Sequence, residues 1–228
     1  MKALWNRFKT WERAWRNNMG VDISTPESRA RAWRHYLWID HGVLRLWWTN
    51  FHQVDDGVYR ANQPDAKRLA KWKKRGIKTI LNLRGVGEYS PYHFEVEACE
   101  KLGLRLIDHR LYAQDLASRE ELLGLIAHFR SIEKPVVMHC KSGSDRAGFA
   151  AALYLHIIED LPVEEAWKQL HWKHFHLKNS KNGILDLFFV AFLEAQKNGA
   201  IAMEDWISTR YDPDALRKRF RETGWRPL

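Results

Sequence analysis

Residues 135–146 read PVVMHCKSGSDR, and this stretch carries most of the information about the fold. Residues 135–139 are apolar and short, as in a buried strand of a parallel sheet. Small and polar residues follow, and a helical pattern begins at Arg146. A strand that turns through such a loop into a helix directs successive backbone N–H groups into one concavity. The stretch therefore predicts an anion-binding site.

Two side chains in this stretch can take part in chemistry. Cys140 lies at the base of the loop, close to the predicted helix N-terminus and to a guanidinium, and both favour the thiolate over the thiol. Arg146 can bring its planar guanidinium over the concavity and hold two oxygens of a phosphate. A thiolate beneath a bound phosphate is a nucleophile placed for attack on phosphorus.

Strand and helix patterns alternate on both sides of this stretch. Because strands that alternate with helices form parallel sheets covered on both faces, we expect an α/β fold with a central, mainly parallel sheet flanked by helices. The predicted strands are 51–60, 77–83 and 104–108, and the predicted helices are 67–75, 91–102, 118–131 (with Ser118 and Glu121 as a capping box), 146–159, 163–174 and 183–197.

The composition excludes several classes of protein. The chain has 228 residues, 45% of them hydrophobic, so it can bury a core, and its two cysteines cannot form the disulfide framework of a small secreted scaffold. No apolar stretch is long enough to span a bilayer. The opening residues, MKALWNRFKTWERAW, lack the apolar region of a secretory signal. We therefore expect a soluble, cytoplasmic protein.

The net charge of +9 predicts an anionic partner. Both ends of the chain are basic and rich in aromatic residues, and we expect them to be helical extensions of the main domain. In residues 1–18, Leu4, Phe8, Trp11 and Trp15 recur at helical spacing and give one apolar face. That face either packs on the main domain or makes peripheral contact with an anionic membrane. No nucleic-acid-binding motif is present, so nucleic acid is not an expected partner.

Residues 137–148, VMHCKSGSDRAG, resemble the HCxxGxxR signature of the cysteine-dependent protein tyrosine and dual-specificity phosphatases, especially the small bacterial dual-specificity-like type. Upstream, residues 58–64 (VYRANQP) and 76–84 (GIKTILNLR) resemble the opening strands of the same proteins. The resemblance covers roughly residues 50–195. It implies a protein tyrosine phosphatase-like fold and hydrolysis of phosphate monoesters through a phosphocysteine intermediate.

The resemblance also implies a division of the chain and roles for its residues. The N-terminal extension is 1–49, the catalytic domain is 50–200 and the C-terminal extension is 201–228. Cys140 matches the nucleophile, Arg146 matches the phosphate-binding arginine, and His139 matches the residue whose hydrogen bonding supports the thiolate. The backbone N–H groups that would bind the substrate phosphate belong to Lys141, Ser142, Gly143, Ser144 and Asp145. Such a mechanism needs no metal and no cofactor.

The family also uses an aspartate on a separate loop as general acid, some 25–35 residues before the cysteine. Asp115 lies 25 residues before Cys140, after a predicted strand and just ahead of a helix. Asp108 lies 32 residues before it, at the apparent end of a strand. We favour Asp115 and keep Asp108 as the alternative. Asp115 could instead merely help to cap the helix that starts near Ser118.

Two residues depart from the family pattern. Ala147 stands where the family usually has Ser or Thr, whose hydroxyl helps the thiolate to leave, so we predict slow hydrolysis of the phosphoenzyme. Asp145 places a carboxylate in the loop itself, where it would repel a phosphate unless it points away.

Other candidate residues have plainer interpretations. Cys99 is most simply a core residue of helix 91–102, and a reversible disulfide with Cys140 is the alternative. His171, His174 and His176 cluster in HWKHFH, but with no Cys or carboxylate ligand nearby we do not expect a metal site.

Three functions remain open at this point. The first is a protein tyrosine or dual-specificity phosphatase acting on phosphorylated proteins. The second is a phosphatase of a phospholipid, an inositol-type phosphate or another small phosphate ester, which the basic, Trp-rich ends favour. The third is a non-catalytic phosphate-binding module.

Overall fold

The computed structural model describes residues 20–197 and 199–226. The predicted amphipathic helix over residues 1–18 lies outside the described residues. No helix in the described part of the chain is both long enough and apolar enough to cross a membrane.

A five-stranded sheet forms the centre of the molecule, in the order β1-β2-β5-β3-β4. Strands β2, β5, β3 and β4 are parallel, and β1 pairs antiparallel with β2 at one edge. This confirms the predicted α/β class with a mainly parallel sheet. The strands are β1 (His52–Asp55), β2 (Val58–Asn62), β3 (Thr79–Asn82), β4 (Arg105–Asp108) and β5 (Val136–Cys140).

Ten α-helices of the described chain surround the sheet or extend from it. They are α1 (Pro26–Arg34), α2 (Gly42–Trp47), α3 (Ala66–Lys74), α4 (Ser90–Leu102), α5 (Arg119–Ser131), α6 (Asp145–Ile157), α7 (Val163–Ala166), α8 (Ile184–Lys197), α9 (Met203–Thr209) and α10 (Pro213–Thr223). The capping box at the start of α5 forms as predicted, with Ser118 and Glu121 bonding each other's backbone N–H groups.

Two segments differ from the sequence prediction. The single strand region predicted at 51–60 is a hairpin of β1 and β2, because Gly57 takes a left-handed conformation (φ 69°) that turns the chain back. The helix predicted at 163–174 was wrong, since α7 ends at Ala166 and short 3-10 turns follow. In the turns that follow, Gln169 reaches the buried Arg60, whose guanidinium donates to its carbonyl (2.7 Å) and to its side-chain oxygen (2.9 Å), and this contact favours the turns over a continued helix.

The sheet separates two apolar cores. On one face, α5, α6, α8 and α9 pack against Val136, Met138 and Cys140 of β5. On the other face, α3 and α4 pack against Val137 of the same strand. Trp206 of α9 and Tyr211 belong to the first core, so part of the predicted C-terminal extension is packed into the main body. Side chains along β5 alternate between the two cores. The loop that follows β5 lies at the carboxyl ends of the parallel strands, between the two layers of helices.

Candidate active site

The loop between β5 and α6, residues 141–144, is here called the phosphate loop. Gly143 adopts φ 72°, and a Cβ at this position would lie only 2.6 Å from the carbonyl carbon of Ala61. Only glycine therefore fits where the loop crosses β2. The N–H of Gly143 lies 3.2 Å from the Sγ of Cys140, which is 1% exposed. The loop ends at the N-terminus of α6, where the helix dipole also favours an anion.

Arg146 lies in the first turn of α6 and lines a cavity of about 480 Å³ beside the phosphate loop. Its Nε is buried and has no hydrogen-bond partner among the described residues. A buried guanidinium N–H without a partner leaves a donor for a ligand that the protein itself does not supply. This arrangement suits an incoming oxyanion.

Arg60 is a functional residue that the sequence analysis missed. It is fully buried in β2 and donates to the carbonyls of Gly143 (2.7 Å) and Ser144 (2.9 Å), as well as to Gln169. Burial lowers its pKa to about 10, which still leaves it charged at neutral pH. Arg60 bonds the carbonyl groups of Gly143 and Ser144, and these bonds fix the conformation of the phosphate loop from the side of β2. A charged residue inside the strand pattern VYRAN was the one available sign.

The carboxylate of Asp145 is bonded to His176 instead of facing a bound phosphate. His176 Nδ1 lies 2.8 Å from Asp145, and its Nε2 lies 2.7 Å from Asp186 of α8. Burial opposes a charge on the ring, but the hydrogen bonds to Asp145 and Asp186 raise the pKa of His176 to about 9. At neutral pH the cation balances the carboxylate in the first turn of α6. The repulsion that Asp145 could have caused is thereby offset.

His139 is fully buried, and its Nε2 lies 2.7 Å from an oxygen of Glu95 on α4. The other oxygen of Glu95 accepts from Gln63 (2.7 Å), and the amide oxygen of Gln63 accepts from Arg84 (2.8 Å). A chain of polar contacts thus runs from the residue before the nucleophile to the wall of the cavity, because Gln63, Arg84 and Glu95 all line it.

The segment before β1 also reaches the site, through Asp40. This buried carboxylate lies 2.6 Å from Arg45, 3.1 Å from Arg84 and 3.3 Å from Lys141 of the phosphate loop. Burial would raise the pKa of Asp40, but the three cations hold it below its usual value. Three positive charges around one negative charge leave this wall of the site net positive.

The two candidate general acids have different surroundings. Asp115 lies between β4 and α5, its side chain is half-exposed, and its Oδ1 accepts from Arg217 of α10 (2.6 Å) and from the N–H of Leu116 (2.8 Å). Asp108 ends β4 and accepts from Asn82 and Tyr92, both at 2.7 Å. Asn82 and Tyr92 line the cavity, so Asp108 contacts its wall, whereas Asp115 is held toward α10.

The remaining candidates lie away from the phosphate loop or have other partners. Cys99 is buried on the opposite face of the sheet from Cys140, and burial raises the pKa of its thiol to about 12. His174 is buried beside His52, and burial lowers its pKa to about 3. No group of three or more metal-ligating side chains occurs within residues 20–197 and 199–226.

Comparisons with known proteins agree with this geometry. Residues 50–162 match the sequence model of the tyrosine phosphatase family. The chain is 23% identical over 126 residues to the dual specificity protein phosphatase TpbA of Pseudomonas aeruginosa, and it spans about half (53%) of the length of that relative. The matched residues are also 53% of this chain.

Solved structures share the fold at low sequence identity. The crystal structure of P. aeruginosa TpbA gives a TM-score of 0.51 with 18% identity, covering 76% of this chain and 91% of that chain. A TpbA variant in complex with pTyr gives 0.50 with 17% identity, covering 76% and 96%. The catalytic core of Siw14 from S. cerevisiae gives 0.50 with 14% identity, covering 79% and 95%.

Proposed function

The chain belongs to the tyrosine phosphatase family through residues 50–162, and on that premise we propose that it hydrolyses phosphate monoesters through a covalent intermediate on Cys140. One observation carries the proposal. The Sγ of Cys140 lies 3.2 Å from the N–H of Gly143 in the phosphate loop, and that loop leads into the first turn of α6, where the Nε of Arg146 has no partner among the described residues. Residues 140–146 therefore supply a nucleophile together with two kinds of donor for an oxyanion.

The first step forms a bond between sulfur and phosphorus. The thiolate of Cys140 attacks the phosphorus in line, and the bond from phosphorus to the leaving oxygen breaks. Arg146 and the N–H groups of the phosphate loop bind the equatorial oxygens, whose charge they stabilise throughout. The leaving oxygen takes a proton from the general acid.

We propose Asp115 as that acid and Asp108 as the alternative. A general acid must reach the leaving oxygen of the substrate, and both oxygens of Asp108 already accept hydrogen bonds, from Asn82 and Tyr92. Among the described residues, donors reach only the Oδ1 of Asp115. This role requires the loop that carries Asp115 to leave Arg217 and turn toward the cavity.

The second step returns the enzyme to its starting state. Water attacks the phosphorus, the ionised aspartate takes a proton from it, and the sulfur leaves as a thiolate with release of inorganic phosphate. Ala147 is buried and offers no hydroxyl to the departing sulfur. We therefore expect this step to be slower than the first. Rapid mixing should show a burst of the leaving group, and a linear time course from the first turnover would contradict this expectation.

For the substrate we propose phosphotyrosine, alone or together with phosphoserine and phosphothreonine, in proteins. The support is the similarity to TpbA, a dual specificity protein phosphatase, one of whose variants has been crystallised with pTyr. Arg84, which lines the cavity, and Lys141, which shares Asp40 with it, also suit an anionic peptide.

A second candidate is a phospholipid or inositol-type phosphate with more than one phosphate group. The observation that favours it is the cavity itself, which Arg84 and Arg110 line together with Arg146. Substitution Arg110→Gln separates the two candidates, because Arg110 is exposed and bonds only a backbone carbonyl, that of Val86, in the loop beside it. It should raise the KM for a bisphosphate but not that for a phosphotyrosine peptide.

The decisive experiment compares p-nitrophenyl phosphate hydrolysis by the wild type, Cys140→Ser and Cys99→Ser. We expect activity to be lost in Cys140→Ser and kept in Cys99→Ser, because Cys99 lies on the other face of the sheet. Full activity in Cys140→Ser would overturn the cysteine mechanism. A wild type that binds inorganic phosphate but hydrolyses no phosphopeptide, lipid phosphate or p-nitrophenyl phosphate would instead be a phosphate-binding module.

A further inference from the structure

Helix α2 has its charged residue inside and its large apolar residues outside. Arg45 is 3% exposed and bonds Asp40, whereas Leu44, Leu46 and Trp47 are exposed, Trp47 to 89%. Burial of apolar side chains is the main favourable contribution to folding, so this arrangement is the reverse of what folding alone would select.

The segment 171–178, HWKHFHLK, shows the same inversion. His174 and His176 are buried, while Trp172 (73% exposed), Phe175 and Leu177 face solvent. Phe175 takes a left-handed conformation (φ 64°), which is unusual for a bulky residue and adds local strain. Strain of this kind persists only when the surrounding structure fixes it, here through His176 and its two aspartates.

The two inverted segments form one surface beside the phosphate loop. The ring of Trp48 packs edge-on against that of Phe175 at 4.6 Å. The side chain of Asn50 donates to the carbonyl of Ser142 in the phosphate loop (2.9 Å) and to the carbonyl of His174 (3.2 Å). We call this surface the apolar rim, and it consists of Leu44, Trp47, Trp48, Trp172, Phe175 and Leu177.

The two stretches of chain that carry the apolar rim contain basic residues and no acidic ones. Residues 41–54 and 166–185 contain no aspartate or glutamate, and the second stretch contains Lys168, Lys173, Lys178 and Lys181. Lys173 and Lys178 are exposed within the inverted segment itself. An exposed aromatic surface with lysines and without carboxylates is the pattern of proteins that insert into an anionic lipid interface.

We propose that the apolar rim docks the protein on an anionic phospholipid bilayer, with the phosphate loop beside the lipid headgroups. Lysine is depleted in interfaces between proteins. At a membrane its chain lies along the apolar layer while the ammonium reaches the headgroups. A second copy of this chain would bring like charges together at the rim. The docking surface goes beyond the proposed function, because it specifies where the enzyme works and not what it cleaves, and it is separate from residues 1–18.

The experiment is sedimentation of the full chain with vesicles of phosphatidylcholine, with and without 30% phosphatidylglycerol (about one anionic lipid in three, near the anionic share of natural cytoplasmic leaflets). Three variants carry the test. The first replaces the exposed tips Trp47, Trp172 and Leu177 with serine. The second carries Lys173→Glu with Lys178→Glu, and its control carries Lys71→Glu with Lys74→Glu, two exposed lysines of α3 that are not part of the apolar rim.

We expect binding to anionic vesicles only, reduced at least about tenfold in the serine variant. The Lys173 and Lys178 variant should lose about 25-fold or more, from roughly fivefold for each basic residue near an anionic surface, while the α3 control changes far less. Thermal melting and p-nitrophenyl phosphate hydrolysis should stay unchanged in all variants, so that loss of docking is separate from loss of fold or of activity.

Four results would overturn the proposal. They are absence of wild-type binding to anionic vesicles, equal binding to neutral vesicles, unchanged binding of the serine variant, and an α3 control that loses as much as the Lys173 and Lys178 variant. If the wild type instead self-associates in solution and the serine variant is a monomer, the rim is an interface between copies of this chain. Inactivity of the wild type toward every phosphate ester would contradict the proposed function but leave vesicle binding to be judged by itself.

Discussion

The phosphate loop and the loop that carries Asp115 are held in opposite ways. Behind the phosphate loop, Arg60 and His176 are buried and bond groups on it or next to it. Asp115, in the acid loop (residues 109–118), is half-exposed and paired with Arg217, which itself is partly open to solvent. Buried polar partners are costly to break, whereas an exposed ion pair contributes about 0–1 kcal/mol. The difference supports the proposed mechanism, in which the loop after Cys140 is fixed before substrate arrives and the loop that carries Asp115 moves to meet it.

The largest effect is expected from Arg60→Met, which removes the buried guanidinium that supports the phosphate loop. The substitution keeps much of the side-chain volume but leaves the carbonyls of Gly143, Ser144 and Gln169 buried without their donor. At about 1–3 kcal/mol for each unsatisfied group, the free energy of unfolding should fall by about 3 kcal/mol or more. Urea unfolding measures this, and kcat/KM should fall as well.

Arg105→Met is the matched control for that substitution, since Arg105 is an exposed arginine on strand β4, at the far edge of the same sheet. It should change the free energy of unfolding by no more than about 0.5 kcal/mol. Equal losses in the two variants would mean that the buried guanidinium does not support the loop.

The next test concerns the acid loop. Asp115→Asn should lower kcat by about 100-fold on a phosphotyrosine peptide, whose leaving group needs a proton, with little change in stability. The effect should be much smaller on p-nitrophenyl phosphate, whose leaving group departs without one. Asp108→Asn is the matched comparison, and a larger loss of kcat there than in Asp115→Asn would transfer the role to Asp108.

The positive charge of His176 predicts how the free energy of unfolding depends on pH. Since the folded pKa of His176, about 9, lies above its ordinary value of 6.5, its contribution to stability is complete below pH 6.5. The contribution falls as the pH rises through 9, by on the order of 2–3 kcal/mol. Urea unfolding from pH 6 to 10 should show this decline, and His176→Gln should abolish it.

His174 is the contrast within the same segment. Burial lowers its pKa to about 3, so it stays neutral at pH 7, and its contribution is lost as the pH falls below 6.5 toward 3. His174→Gln should therefore leave the decline at alkaline pH in place. A decline that survives in His176→Gln and disappears in His174→Gln would reverse the two assignments.

The smallest effect is expected when the ion pair between Arg217 and Asp115 is removed. Because an exposed ion pair is worth about 0.2–1 kcal/mol, Arg217→Met should raise kcat/KM by no more than about fivefold while stability changes by less than about 1 kcal/mol. Arg219→Met is the control on the same helix, since Arg219 pairs with Glu194 (2.6 Å) instead of the acid loop. A fall in kcat/KM in Arg217→Met alone would mean that the ion pair positions Asp115 for catalysis.

Local signals in the sequence were sufficient for the sheet and for the phosphate loop. The phosphate loop depends on features that are neighbours in the chain: the apolar residues of β5, Gly143 and the first turn of α6. The capping box of Ser118 and Glu121 is equally local. The helix predicted at 163–174 failed in a segment that bonds Arg60, more than a hundred residues earlier, through Gln169. Periodicity contains no information about such a distant partner.

The partners of the site could not be found from the pattern for the same reason. Asp40 reaches Lys141, and Arg217 reaches Asp115, each across about a hundred residues of chain. Asp186 stabilises the cationic His176 that offsets the charge of Asp145, although the sequence marks it only as a residue of an apolar helix. The sequence therefore predicts the residues that would touch substrate, and the structure adds the distant residues that hold them.

The placement of the two thiols on opposite faces of the sheet has a consequence for oxidative stress. A thiolate that reacts with peroxide becomes a sulfenic acid, which is protected from further oxidation when a second thiol condenses with it. Cys140 and Cys99 are the two cysteines of the chain, and strand β5 stands between them. Recovery of an oxidised Cys140 must therefore come from a thiol outside this chain, such as a cellular low-molecular-weight thiol. Without such a thiol, peroxide would inactivate the site irreversibly.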